Sequence, residues 1–200
     1  MNCKKKALPL QPYLKFLQKM NISKYLLRKF GWKIKFNIPK IPDKCVVCLA
    51  PHTSNWDFIV GKLAYRALNL KSHFLIKKSW TVFPLSLIFK PMGAIPVDRS
   101  KKTSLTEQVA AMFHKYKRFS VAITPEGTRK RNPDWKRGFY FIAHTAKVPI
   151  VLASMDYQLK IINLGRIFVP SGNVDNDMRE IQHFYKGVRA KNPENFSIGY

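Results

Sequence analysis

Short apolar runs recur along the chain, each closed off by proline, glycine or charge, and between them lie stretches whose apolar residues return every three or four positions. Cys45-Val46-Val47-Cys48-Leu49, bounded by Asp43-Lys44 and Pro51, reads as a buried strand. Trp32-Lys33-Ile34-Lys35-Phe36 alternates and reads as a strand with one wet face. Residues 72–76, 94–97, 120–124 and 149–153 are further strands. Residues 58–70 read as a helix with Asp57 at or near its N-cap, its apolar side carrying Ile59, Leu63, Tyr65 and Ala67. A second helix spans about 103–117, capped by Thr103 or Ser104, with Leu105, Val109, Met112, Phe113 and Tyr116 inward. Two more follow at 138–147 and 175–187, the last with an acidic first turn that suits the helix dipole. Leu159 to Ile162 and Arg166 to Val169 look like a hairpin. This alternation predicts one α/β domain, residues 31–200, with a mixed, mostly parallel sheet flanked by helices.

Two stretches stand outside that rhythm. Residues 1–40 contain eleven Lys or Arg and no Asp or Glu. Within residues 1–30, Tyr13, Leu14, Phe16, Leu17 and Met20 form one apolar cluster. Ile22, Tyr25, Leu26, Leu27 and Phe30 form another, with Asn21 or Ser23 placed to cap it. The pattern predicts a pair of amphipathic helices, basic on one side. It fits helices lying on an anionic membrane, or an apolar face packed on the domain with solvated lysines opposite. The second stretch, residues 80–89, is almost wholly apolar and broken by Pro84. It fits a buried core helix equally with an acyl-chain groove or a segment dipping into a membrane.

Charge narrows the partners. Thirty-six Lys and Arg against eleven Asp and Glu give +25, far beyond what solubility needs. Nucleic acid, an anionic membrane and an acidic protein all answer to such a surface. No base-reading module appears, which speaks against nucleic acid. Three cysteines are too few for a disulfide framework and point to a reducing compartment. Cys45 and Cys48 lie three apart on a strand and so face opposite ways, poor geometry for a metal or redox pair. No apolar run reaches the roughly 18 residues of a membrane span, and the N-terminus makes no convincing signal peptide. The expected location is cytosolic or on one side of a membrane.

The candidate chemistry sits where strands end. His52 follows the strand 45–49, and Asp57 lies five positions on at the helix mouth. That span can fold back so that the carboxylate holds one imidazole nitrogen while the other faces a substrate, as a general base requires; a loop histidine beside an ordinary cap is the alternative. Ser120-Val121-Ala122-Ile123-Thr124 runs into Pro125-Glu126-Gly127-Thr128-Arg129, and Ala94-Ile95-Pro96-Val97 into Asp98-Arg99. Strand ends in an open α/β sheet converge on one crevice. Gly127 removes bulk where backbone N–H groups could approach an oxyanion. Arg99 and Arg129 suit a phosphate, or a surface ion pair, with Asp98 the partner of Arg99. The other histidines, 73, 114, 144 and 183, have no carboxylate motif and read as structural. No G-x-S-x-G elbow is present.

With Val148-Pro149-Ile150-Val151 in the same order, these blocks resemble the glycerophospholipid acyltransferase family over about residues 45–154. Thr124 stands where that family often has an aromatic, and Lys130 where it often has a small residue. The resemblance implies transfer of a fatty acyl group from a thioester to a lysophospholipid hydroxyl, most directly that of 1-acylglycerol-3-phosphate, with another lysolipid or an aminolipid precursor as the alternative acceptor. It implies His52 as base and Asp57 as its partner, with Asp98, Arg99, Glu126, Gly127, Thr128 and Arg129 at the acceptor. Glu126 would hold the acceptor's glycerol-like hydroxyls. No cofactor or metal is expected, only an acyl-carrier-protein or coenzyme A thioester as co-substrate. The implied partners are the lysophospholipid acceptor, an anionic membrane surface and an acidic carrier protein, not nucleic acid. The implied location is peripheral, on the cytoplasmic face of the cell membrane.

Overall fold

The structure, a computed structural model, describes residues 21–71, 73–97 and 104–199. Its strands are β1 (Lys33–Phe36), β2 (Lys44–Ala50), β3 (His73–Lys77), β4 (Ala94–Val97), β5 (Phe119–Ile123), β6 (Ile150–Asp156) and β7 (Ile161–Phe168). They form one sheet in the order β1-β7-β6-β2-β5-β3-β4. β6, β2, β5, β3 and β4 run parallel, β7 is antiparallel to β6, and β1 follows β7. The sheet is therefore mixed and mostly parallel, as the alternation predicts. The helices are α1 (Ile22–Lys29), α2 (Asn55–Ala67), the single turn α3 (Ser86–Phe89), α4 (Leu105–Lys115), α5 (Gly138–Ala146) and α6 (Val174–Phe184).

Both faces of the central strands are covered. Val46, Cys48, Val121, Ile150 and Leu152 meet Phe113 of α4, Phe139 and Ile142 of α5 and Ile181 of α6 on one side. On the other, Cys45, Val47, Val151 and Ala153 form one cluster, and Met155 and Ile162 join Leu27, Val60 and Ala64 from α1 and α2. Sealing each large side chain contributes roughly 1.5–3 kcal/mol. The period of two along β2 separates Cys45 from Cys48, and burial lifts both thiols to about 12. They behave as small apolar residues.

Several expectations are corrected. The hairpin at 159–169 is one continuous strand, β7, paired with β6 from Ile161 to Phe168 through a bulge at Leu152/Ala153. Gly165, which looks like a turn residue in the sequence, is there because a Cβ would stand 2.3 Å from the Phe184 ring. α2 starts at Asn55, and Ser54 rather than Asp57 is its N-cap. Its buried residues are Asp57, Val60 and Ala64, whereas Ile59 is exposed. Residues 80–89 do not form a buried core helix: a 3₁₀ turn (Lys78–Thr81) leads to α3, and Val82, Phe83, Leu85, Leu87 and Ile88 are exposed.

Of the N-terminal pair, the first helix falls outside the described residues. The second is α1, capped by Asn21 accepting from Lys24 N–H at 3.2 Å. Leu27 packs inward, while Ile22, Tyr25 and Phe30 stay exposed. Among the described residues no helix is long and apolar enough to cross a membrane.

Candidate active site

Because β2, β5 and β6 are parallel neighbours, the segments leaving their C-terminal ends emerge side by side. β2 ends at Ala50 and delivers His52, β5 ends at Ile123 and delivers Glu126, and β6 ends at Asp156 and delivers Tyr157. Asp57 enters from the first turn of α2.

Asp57 is the hub. Its Oδ2 accepts the Thr53 and Ser54 N–H groups, both at 2.8 Å, and lies 3.3 Å from Nδ1 of His52. Its Oδ1 accepts the Tyr157 hydroxyl at 2.6 Å. The Ser54 side chain in turn accepts from Trp56 N–H, and Asp57 as third helical residue completes the capping box. Burial of Asp57 pushes its carboxyl up, but the hydrogen bonds from His52, Tyr157 and Ser54 outweigh that and hold it below the ordinary value. The residue is 1% exposed, and the His52 side chain 19%. A sealed, ionised carboxylate thus faces a partly open imidazole. Nδ1–H donating to it leaves the lone pair on Nε2.

Glu126 lies in the loop after β5, beside His52. Both its oxygens accept the His52 backbone N–H, at 3.1 and 2.8 Å, and the residue is 2% exposed. Its carboxylate is turned inward and holds the histidine's main chain. Burial, helped by the nearby Asp57 charge and opposed by the His52 N–H, lifts its pKa to about 7. Asn132 fixes this loop from outside, donating to Glu126 O at 2.7 Å. Gly127 borders the site cavity but offers no free N–H, which goes to Thr124 O at 3.3 Å. Glycine is required there by its φ of +69°. Thr128 and Arg129 are exposed, and the Thr128 hydroxyl accepts from Lys130 N–H. Arg129 makes no ion pair among the described residues. Asp98 and Arg99 lie outside the described residues.

A cavity of about 380 Å³ opens beside His52 and Asp57, lined also by Phe58, Lys62, His73 and Gly127. A second, of about 370 Å³, is predominantly apolar and runs beneath α2 among Val47, Leu68, Val151 and Leu164. The two share Leu49, Gly61 and Tyr65. Both are lined mainly by apolar side chains, so apolar space large enough for a fatty chain lies beside the His52–Asp57 pair.

Four contributors escaped the sequence reading. Tyr157 was within reach of the strand-end logic, since it follows the strand opened by the Val-Pro-Ile block. Asn192 pins the loop by donating from its backbone to the Thr53 hydroxyl and from its side chain to Thr53 O. Nothing local marks it. Lys62 lies five positions beyond Asp57 on α2, outside the i, i+3 and i, i+4 spacings that place side chains together, so no helical pairing marks it. His73, read as structural, lines the cavity while its Nδ1 sits 3.1 Å from Ser120 O.

A family model described as Acyltransferase matches residues 33–156, well over half of the chain and all of the His52, Asp57 and Glu126 constellation. No curated protein sequence matches this one. Among solved structures, the chain is similar to the 1-acyl-sn-glycerophosphate (LPA) acyltransferase PlsC from Thermotoga maritima. The TM-score is 0.58 at 15% identity, over 85% of this chain and 76% of that one. At that identity the likeness is one of fold.

Proposed function

The chain belongs to the acyltransferase family, and from that premise we propose that it moves a fatty acyl group from an acyl thioester to the hydroxyl of a lysophospholipid-type acceptor, 1-acylglycerol-3-phosphate being the best fit, in phospholipid biosynthesis. The observation that carries this reading is the buried Asp57 carboxylate on His52 beside a mainly apolar cavity that shares Leu49, Gly61 and Tyr65 with a second one. Nε2 of His52 takes the acceptor's hydroxyl proton as the oxygen attacks the thioester carbonyl. The tetrahedral intermediate collapses, the C–S bond breaks, and the imidazolium returns the proton to the departing thiolate. Asp57 keeps the productive tautomer and balances the transient imidazolium. The acyl chain lies in the cavity under α2, and Arg129, with Arg99, takes the acceptor's phosphate. Both acyl-carrier protein and coenzyme A are anionic and suit a chain of net charge +25. The enzyme works as a peripheral protein on the cytoplasmic face of an anionic membrane.

The test is purified protein with either thioester and a panel of lysolipids, wild type against His52→Ala. Loss of the base should lower the rate about 10²–10⁴-fold with the fold intact by circular dichroism. A variant that keeps more than about a tenth of the wild-type rate would remove His52 from the mechanism.

A further inference from the structure

The segment after β3 leaves the sheet at the same edge as the His52 and Glu126 loops, because β3 is parallel to β5 and β5 to β2. It carries Val82, Phe83, Leu85, Leu87 and Ile88 into the open; Phe83 is 79% exposed and Leu87 68%. From Ser86 to Lys90 every main-chain N–H is satisfied from within. Ser86 N–H donates to Val82 O, Leu87 to Pro84 O, Ile88 and Phe89 to Leu85 O, and Lys90 to Ser86 O. Segments that enter hydrocarbon must meet that condition, since lipid offers no hydrogen bonds. The segment is also tied to the cavity wall: Lys62 donates its ammonium to Met92 O and lies over the Phe74 ring, which meets Phe58 edge-on. From residue 58 to 97 there are six Lys or Arg and no Asp or Glu, with Lys78 and Lys90 exposed on either side of the apolar tip.

We propose that residues 82–88 insert into the acyl region of an anionic bilayer while Lys78 and Lys90 meet its headgroups, so that the His52 cavity opens at the lipid surface. Charge complementarity selects this occupant: an apolar tip flanked by the exposed Lys78 and Lys90 suits negative lipid, and the chain's net charge of +25 repels a second copy. The inference rests on the acyl-transfer reading for its purpose and for the activity arm of its test, while the fluorescence and vesicle-binding arms stand without it.

The experiment labels position 83 with an environment-sensitive fluorophore (Phe83→Cys in a Cys3→Ser chain). Cys45 and Cys48 are buried and stay unlabelled. Lys117→Cys, exposed just ahead of β5 and so at the opposite edge, is the control. With vesicles of phosphatidylcholine and phosphatidylglycerol at three to one, the label at 83 should shift to the blue and be quenched by acyl-chain spin labels. The control should stay silent, and pure phosphatidylcholine should bind more weakly. Phe83→Asp with Leu87→Asp should weaken vesicle binding about 10–100-fold. The same variant should lose activity on vesicle-embedded acceptor and keep it on a monomeric short-chain one. Three results overturn the proposal: no shift with vesicles; emission already blue in buffer, which dilution or deletion of residues 1–20 would trace to a second copy or to the chain's own N-terminus; or equal loss on both acceptors. The fluorescence needs no turnover, so failure here leaves the His52 reading standing, and failure there leaves this one.

Discussion

Tyr157→Phe isolates one hydrogen bond at the hub of the site. The ring's edge-on contact with Trp32, at 5.0 Å between centroids, survives the change, and only the hydroxyl is lost. That hydroxyl is the donor that reaches Asp57 Oδ1, at 2.6 Å; the other three contacts converge on Oδ2. With Asp57 1% exposed, no bulk water replaces it. A hydrogen bond to a buried charge carries about 1.5–3 kcal/mol, and the variant should be less stable by that amount at pH 7.

The pH dependence gives the refutation its edge. The hydrogen bonds to Asp57 lower its carboxyl despite burial, so their stabilisation is present above the unfolded value of 3.8 and lost as pH falls through the native one. The gap between wild type and Tyr157→Phe should therefore be full at pH 7 and shrink below about pH 4. Urea unfolding at pH 7, 5 and 3 measures it. A difference under about 0.5 kcal/mol at pH 7, or one that persists unchanged at pH 3, would show that the hydroxyl does not serve the ionised carboxylate. Turnover should fall less than about tenfold, because the His52 contact runs through the other oxygen.

Glu126 gives the opposite sign. Its pKa, raised from 4.5 to about 7, means the folded state holds the proton more tightly, so stability falls as pH rises across that window, by on the order of 3 kcal/mol. Glu126→Gln should flatten that slope in unfolding measurements while its amide oxygen still accepts the His52 N–H. At the junction of the two cavities, Gly61→Leu should cut kcat/KM for long-chain thioesters and spare short ones. Gly61→Ala, whose Cβ would stand 3.9 Å from Leu49, should instead add up to about 1 kcal/mol of stability. Arg129→Ala should raise KM for a phosphate-bearing acceptor about 10–150-fold with kcat nearly unchanged, Arg129→Lys restoring part of it.

Strand period and helix spacing made the sheet, apart from β7, and four of its helices readable, and the strand-end rule alone brought His52 and Glu126 together. What the sequence left hidden has specific causes. An apolar run such as 82–88 has the same composition whether it meets core or lipid, so only its exposure distinguishes them. Gly165 imitates a turn because a glycine forced by close packing and one forced by backbone angle are identical in sequence. The Glu126 contact with the His52 N–H was hidden because a loop's period does not say which way a side chain turns. Tyr157 lies 100 positions from Asp57, and only the parallel register of β6 beside β2 brings them together.

The spacing of His52 and Asp57 follows from the start of a helix. Ser54 is the N-cap, which fixes Asp57 as the third residue of α2, the position whose side chain reaches back to the N-cap N–H. A carboxylate there is favoured by the helix dipole and satisfied by the Thr53 and Ser54 N–H groups, so it stays ionised without substrate. His52 stands two residues before the cap, where the chain turning in from β2 brings its ring over the same Oδ2. One residue more or less between them would break either the capping box or the ion pair. Asp57 therefore performs two tasks with one geometry. That predicts an asymmetry: Asp57→Asn should cost both turnover and stability, whereas Ser54→Ala should cost about 1 kcal/mol of stability and turnover only through a loosened Asp57. Equal losses of turnover in the two variants would place the burden on the helix start itself and not on the charge.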